Sequence, residues 1–229
     1  MNKNDFFVLV TVPHAECLVK LDIDSRKKHV CDFRASKIAD LLGKQMIKQK
    51  ISHQIIKSNV LRSVVDMNRD KPDLLNPDNN NNNNDNNAKE EWDSFQDQIT
   101  AAILKNSSKK IILIDVHSFD KIDSFCKDKS KTDCYITILD IQKQRRQELY
   151  DFATKVSEQL GFTVYMTSGG SNYIINTYGN IQVKRPNSLY PILLEFFENE
   201  TELTDHKIKE FFEKLLEWFK IALKPNKIK

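Results

Sequence analysis

The sequence predicts an α/β fold in three layers, with a mostly parallel or mixed β-sheet covered by helices on both faces. Apolar, strand-like segments alternate along the chain with segments whose apolar residues recur at helical spacing. The strand-like segments are nearly continuous in apolar residues, as expected for strands buried on both faces. Repeated strand-then-helix order favours parallel strands joined by helical crossovers.

The first half of the chain supplies two strand–helix pairs. Phe6–Val12 is apolar and β-branched, and the segment DFRASKIADLLGKQM that follows later has helical periodicity, with Asp32 where an N-cap is expected. A short strand, HQIIKS, comes next. The helix EEWDSFQDQITAAIL then places one apolar face toward a core, formed by Trp92, Phe95, Ile99, Ala102 and Ile103.

The second half continues the alternation. Its predicted strands are Ile111–Val116, CYITILDI, FTVYM and PILLEFF, and its helices are RRQELYDFATKVSEQL and a closing helix marked by Ile208, Phe211, Leu215, Leu216 and Phe219. Four of the five glycines lie between residues 161 and 179. The stretch SGGSNY lacks the spacing of a phosphate-binding fingerprint, so we expect a close turn or an active-site flap there.

The length of 229 residues and the 40% hydrophobic content predict a single domain over residues 1–229. One segment interrupts it. The stretch NPDNNNNNNDNN has nothing to bury and predicts a disordered Asn-rich insertion at about residues 76–88.

Charge and cysteine content exclude several classes of protein. The 35 Lys and Arg residues nearly balance the 32 Asp and Glu residues and are scattered, so we expect no nucleic-acid partner. No apolar run approaches the roughly 18 residues of a membrane span, so no membrane partner is expected. The four cysteines form no CxxC pair and the first residues do not resemble a signal peptide. Reduced thiols and a cytoplasmic location follow as expectations.

Two histidines each follow an apolar strand. His14 comes after Phe6–Val12 and His117 after the strand beginning at Ile111, and ligands of open α/β sheets collect beyond the carboxyl ends of strands. A catalytic zinc takes three protein ligands, so one Zn²⁺ per chain would need a third ligand, either Glu16 or Asp32. Asp115 is a candidate to orient His117. The alternative is that both histidines are hydrogen-bonded residues at the sheet rim without a metal.

Two further features suit a hydrolytic site. Arg62, Asn68 and Arg69 concentrate guanidinium and amide donors that can bind a carboxylate, although a solvated turn has the same composition. Glu195 lies inside the apolar run PILLEFFEN, where an ionised carboxylate needs compensation. A general base beside a metal fits that position, and a Glu paired with Lys or Arg is the alternative.

These motifs, in their order along the chain, resemble those of the N-formylglutamate amidohydrolase family. The matching segments are VPHAEC, DIDSRKKHVCDFRA, RSVVDMNRD, IDVHSF, GGSNYIINTYG and LLEF, which run from about residue 8 to residue 197. The resemblance implies a fold like that of the zinc carboxypeptidases. It also implies metal ligation by His14 and His117, carboxylate binding by Asn68 and Arg69 with help from Arg62, and a general base at Glu195.

The resemblance is incomplete after the first histidine. Ala15 and Glu16 stand where family members commonly have Ser-Gly, and Cys17 stands where carboxypeptidases have their ligand glutamate. Asp32 is favoured as the third ligand because its segment aligns with an acidic block of the family. Asp22 and Asp24 belong to the same block, and Glu16 remains the alternative.

The predicted function is zinc-dependent hydrolysis of a non-peptide amide C–N bond. The expected substrate is a small N-formyl or N-acyl amino acid with a free carboxylate. One alternative is a carboxypeptidase-like peptidase, which uses the same residues. The other is a degenerate family member that keeps the fold as a non-catalytic binding module.

Overall fold

A computed structural model of the protein describes residues 6–16, 32–60, 65–69, 85–120, 133–139, 146–167, 172–179 and 189–223. Some positions singled out in the sequence lie outside these ranges. They are Arg62, Asp22, Asp24, Cys17 and residues 76–84 of the Asn-rich stretch.

The described strands form one six-stranded mixed sheet. The strands are β1 (Phe6–Val12), β2 (His53–Lys57), β3 (Lys110–Phe119), β4 (Cys134–Leu139), β5 (Thr163–Thr167) and β6 (Leu189–Phe197). Their order across the sheet is β2-β1-β3-β6-β4-β5. All neighbours are parallel except β4 and β6, which are antiparallel. The predicted fold class is confirmed.

Helices cover both faces of this sheet, and each face has its own apolar core. The helices are α1 (Ala35–Lys48), α2 (Asp85–Lys105), α3 (Arg146–Leu160), α4 (Tyr173–Gly179) and α5 (Asp205–Ala222). One core joins side chains of α1, α3 and α5 to the sheet, and the other joins side chains of α2 and α4 to the opposite face. Every residue of β1 is buried, which explains why these strands are apolar on both faces.

The register of the central strands aligns polar residues near the carboxyl ends of β1, β3 and β6. Thr11 of β1 is paired with Asp115 of β3, and His117 of β3 is paired with Glu195 of β6. Partners in register, and residues two apart along a strand, share one face of a sheet. Leu113 lies two residues before Asp115, and Leu193 lies two residues before Glu195. Both leucines belong to the core between the sheet and helices α2 and α4. The polar residues therefore point toward that layer.

Two local features differ from the sequence-based expectations. Helix α4, which the sequence did not predict, begins at Tyr173, the last residue of the stretch SGGSNY, and residues 168–171 of that stretch lie outside the described ranges. Its first turn is capped by the Asn172 side chain, whose Oδ1 accepts a hydrogen bond from the backbone N–H of Ile175 at 2.8 Å. Helix α2 begins at Asp85, within the last part of the predicted insertion.

Asp32 is not the N-cap of α1. The helix begins at Ala35, Arg34 takes the cap position, and no side chain caps the helix. The expectation was wrong because the helix begins three residues after Asp32, whose carboxylate contacts two imidazole rings.

The state of Cys134 also differs from the expectation. It is fully buried and disulfide-bonded, so the prediction of reduced thiols is wrong at this residue. Spacing along the sequence did not reveal the bond, because pairing depends on Cα distances that only the fold determines. Disulfides persist mainly in oxidising compartments, so this bond does not support the cytoplasmic location, which stays a prediction. No helix in the described ranges is both long enough and apolar enough to span a membrane.

Candidate metal centre

Three residues from separate parts of the chain converge at the sheet edge. His14 follows β1, Asp32 precedes α1, and His117 lies near the end of β3. One ligand atom from each residue lies within 4.8 Å of the other two. All three are buried, with 1%, 5% and 5% of their surfaces exposed, respectively. The two predicted histidines therefore do meet, and Asp32 lies beside both.

The Asp32 carboxylate faces the same nitrogen of each ring. Its Oδ2 is 2.7 Å from His117 Nδ1 and 3.3 Å from His14 Nδ1. The ring centroids are 5.0 Å apart, with an interplanar angle of 73°. The neighbouring parallel strands β1 and β3 bring the rings together, and the chain entering α1 places the carboxylate against them.

The other ring nitrogen of His117 contacts a second carboxylate. His117 Nε2 is 2.9 Å from Asp115 Oδ2, as expected for the orienting role of Asp115. Asp115 is itself held on both oxygens. Thr11 Oγ1 donates to Asp115 Oδ1 at 2.5 Å, and Asn172 Nδ2 donates to Asp115 Oδ2 at 2.7 Å. The orientation of the His117 ring is thus fixed through β1, β3 and the start of α4.

The second ring nitrogen of His14 also contacts a carboxylate. Its Nε2 is 2.7 Å from Asp66 Oδ1, which also accepts a hydrogen bond from the backbone N–H of Asn68 at 3.0 Å. Arg69 Nε lies 3.5 Å from the other oxygen of Asp66. Asp66 therefore connects the first histidine to the Asn-Arg pair that the sequence assigned to substrate binding.

The protein environment shifts the pKa of two of these groups. Burial lowers the pKa of His117, but the charges and hydrogen bonds of Asp115 and Asp32 outweigh burial and hold that pKa well above 6.5. Burial alone would raise the pKa of the Asp32 carboxyl. His117 and then His14 overcome it and hold that pKa far below its usual range. In the absence of a metal, these raised and lowered pKa values favour a buried His117 imidazolium between two carboxylates.

The donor set fits zinc. Two imidazoles with one carboxylate form a ligand set of catalytic zinc sites, which leave one position open. Zinc-bound histidines also characteristically donate their second N–H to a carboxylate or carbonyl, and both rings have such a carboxylate here. His14 Nδ1, His117 Nδ1 and Asp32 Oδ2 are thus the atoms suited to hold the ion.

Glu16, the alternative third ligand, is exposed and lies outside this group. Glu195 is buried and sits beside His117 in the register of β3 and β6. Its antiparallel neighbour is Thr137, whose buried Oγ1 makes no hydrogen bond in the described part of the structure. The Thr137 hydroxyl, next to Glu195 in the sheet, is thus available to a further hydrogen-bonding group.

The Asn-Arg pair lies next to the histidine group. Asn68 Oδ1 accepts a hydrogen bond from the backbone N–H of Ile174 in α4 at 3.3 Å. The Arg69 side chain is 53% exposed. The backbone here is held from α2, because the Trp92 Nε1–H donates to the Arg69 carbonyl at 3.1 Å and the Gln96 amide donates to the Met67 carbonyl, also at 3.1 Å.

The sequence reasoning missed three residues that support the group, namely Thr11, Asp66 and Asn172. Asp66 was the most accessible to inference, because it stands two residues before Asn68 in the motif VVDMNRD. Thr11 and Asn172 carry no comparable signal. A threonine in a strand and an asparagine after glycines are common, and only the fold brings them to Asp115.

We expect His117 of the metal-free protein to keep its proton well above pH 6.5, as measured by imidazole ¹⁵N chemical shifts against pH. A raised pKa means that the stabilisation from this proton is present below pH 6.5 and is lost as pH rises through the folded-state pKa. Asp115→Asn removes one neighbouring charge and should lower the pKa of His117. An unchanged His117 titration in Asp115→Asn would contradict this account.

Comparisons with known proteins bear on the fold. No protein-family model matches the sequence, and no curated protein sequence matches it. The structure of a gene product from Agrobacterium tumefaciens is similar at a TM-score of 0.64 and 17% identity, covering 96% of this chain and 91% of that one. N-formylglutamate amidohydrolase from Ralstonia eutropha is similar at a TM-score of 0.58 and 12% identity, covering 94% of each chain. The similarity establishes a shared α/β fold along nearly the whole chain.

Proposed function

We propose that this protein is a zinc-dependent amidohydrolase that cleaves the amide bond of a small N-formyl or N-acyl amino acid with a free carboxylate. The observation that carries the proposal is the buried group of His14, Asp32 and His117, with a carboxylate behind each ring. The fold shared with an N-formylglutamate amidohydrolase and the order of motifs along the sequence agree with it.

The ligand side chains are prepared for a cation by their neighbours. Zinc bound to them would supply a Lewis acid that polarises the amide carbonyl and makes water a nucleophile near neutral pH. Asp66 and Asp115 keep the Nε2 atoms occupied, so that both Nδ1 atoms face Asp32. This preorganisation reduces the reorganisation that ligand binding would otherwise require.

Glu195 is the proposed general base and proton carrier. Glu195 is paired with His117 in the strand register, on the face that bears Asp115, in a buried position where water is scarce. It would take a proton from the attacking water and deliver it to the leaving nitrogen. The Thr137 hydroxyl next to it offers a further hydrogen-bonding position for a substrate or water atom.

Asn68 and Arg69 are the proposed binding groups for the substrate carboxylate, with Arg62 as the third predicted member. The Arg69 guanidinium carries five N–H donors, and its contact with Asp66 involves Nε. Binding the carboxylate here would orient the amide relative to the histidine group, which converts binding energy into rate. Turnover of N-formylglutamate compared with a blocked dipeptide separates this function from that of a carboxypeptidase-like peptidase.

Metal analysis tests the ligand assignment and the non-catalytic alternative together. We expect the purified protein to bind one zinc per chain. Asp32→Ala should lose that zinc because a ligand is removed, whereas Glu16→Ala should keep it because Glu16 is exposed and outside the group. Zinc content after dialysis against a defined free-zinc buffer is the measurement. A wild-type protein without zinc excludes the catalytic function, and zinc loss in Glu16→Ala reassigns the ligand.

Glu195→Gln should retain zinc and lose most of the rate, because the amide keeps the shape of the side chain but cannot accept the proton. We expect a decrease in kcat of about 10²-fold or more, in the range typical of general-base removal. Steady-state kinetics together with zinc content check this. Unchanged kcat would remove Glu195 from the mechanism.

Arg69→Ala should spare the metal and weaken turnover of substrates with a free carboxylate. We expect kcat/KM to fall by roughly 10-fold or more, as for loss of a hydrogen bond to a charged group. The matched control is the same substrate with its carboxylate amidated, on which wild type and Arg69→Ala should be equal. A similar loss on both substrates would show that Arg69 does not bind the carboxylate.

A further inference from the structure

The backbone segment that carries Asp32 is attached to the ends of two central strands. We propose that Ser118 and Glu198 act together as positioning residues that hold the Asp32 carboxylate against the two histidines. This inference rests on the proposed function, because it concerns a ligand of the proposed zinc. Neither residue touches the histidine rings among the contacts described above, so their effect acts through Asp32.

The attachment consists of three hydrogen bonds, two of which are short. The Phe33 N–H donates to Glu198 Oε1 at 2.8 Å, and Ser118 Oγ donates to the same oxygen at 2.6 Å. The Arg34 N–H donates to Ser118 Oγ at 3.3 Å. The two backbone N–H groups that directly follow Asp32 are therefore both fixed by side chains from other elements.

Ser118 and Glu198 are themselves tied to the reactive part of the sheet. Ser118 follows His117 in β3, and Glu198 comes three residues after Glu195, just beyond β6. The Glu198 N–H donates to the Phe119 carbonyl at 2.9 Å, which joins the ends of these strands. The position of Asp32 is thus fixed relative to β3 and β6, the two strands that carry His117 and Glu195.

Arg34 anchors the other side of the segment and has a different role. Its buried guanidinium donates through Nη1 to the carbonyls of Phe197 at 3.2 Å and Leu203 at 2.8 Å, and through Nη2 to Asp205 at 3.3 Å. Removing a buried charge with this many acceptors would disturb folding itself. Substitutions of Ser118 and Glu198 are smaller perturbations, because within the described residues their side chains bond to two backbone N–H groups and to each other.

A displaced Asp32 would change zinc affinity more than stability. Loss of groups that orient metal ligands typically weakens metal binding by 10–100-fold. The Glu198 side chain needs only an acceptor oxygen for its role, so Glu198→Gln should preserve the arrangement. Glu198→Ala and Ser118→Ala should disrupt it. Glu210→Gln is the control, since Glu210 is exposed on α5 and pairs with His206 of the same helix at 3.6 Å.

The experiment measures zinc affinity by competition with a chromophoric chelator, the visible absorption spectrum of the Co²⁺-loaded protein, and the free energy of unfolding of the metal-free protein. We expect Glu198→Ala and Ser118→Ala each to raise the Kd for zinc by about tenfold or more. Their Co²⁺ spectra should also differ from the wild-type spectrum. Glu198→Gln and Glu210→Gln should match wild type in the zinc Kd and in the Co²⁺ spectrum, and the free energy of unfolding checks that each variant folds.

The outcomes separate this inference from the proposed function. Wild-type protein that binds no zinc overturns the proposed function and this inference together. Wild-type protein that binds zinc while both alanine variants keep its Kd and Co²⁺ spectrum overturns only the positioning role. Failure of Glu198→Gln to restore the wild-type Kd also overturns it, because the acceptor oxygen would then be insufficient. If Glu198→Ala does not fold, Ser118→Ala decides the result.

Discussion

The contact of one buried carboxylate with two imidazole rings is the constraint on which the rest of this site depends. Asp32 Oδ2 lies within 3.3 Å of Nδ1 of both His14 and His117, in a region nearly closed to water. Removing an ionised group from water costs several kcal/mol unless charges and hydrogen bonds compensate it. The compensation extends outward in layers, from the rings to Asp66 and Asp115, and then to the hydroxyl, amide and backbone donors that hold those carboxylates.

The sheet makes this concentration of polar groups possible. Strands β1 and β3 are adjacent and parallel, so their carboxyl ends present His14 and His117 at one edge, and the pairing of β3 with β6 adds Glu195. Apolar residues of the same strands fill both cores up to this edge. The rigid interior therefore fixes the backbone from which the polar groups project, while the chain entering α1 brings in Asp32 from outside the sheet.

Sequence periodicity was sufficient for the strands, for most helices and for the meeting of the two histidines, because strand direction alone places His14 and His117 at one edge. It could not choose between Glu16 and Asp32, since that choice depends on the path of the chain between β1 and α1. Asp66, Thr11 and Asn172 depend on tertiary contacts that leave no local pattern. Helix α4 was not predicted, because a helix of 7 residues has too short a periodic pattern to recognise and its Asn172 cap follows glycines that indicate a turn.

The balance of charge explains why this group is suited to a divalent cation in particular. Three carboxylates, Asp32, Asp66 and Asp115, contact the two imidazoles, and Asp66 also lies 3.5 Å from the Arg69 Nε. The raised pKa of His117 favours a proton on that ring, which offsets part of the carboxylate charge, but a proton on Nδ1 also occupies the lone pair that a metal needs. A divalent cation held by His14, Asp32 and His117 would supply positive charge at the Nδ1 side of the rings, opposite to Asp66 and Asp115. The Nε2 protons would stay directed at Asp66 and Asp115. A proton and a metal ion would therefore compete for the Nδ1 side of the rings, where either one offsets the carboxylate charge.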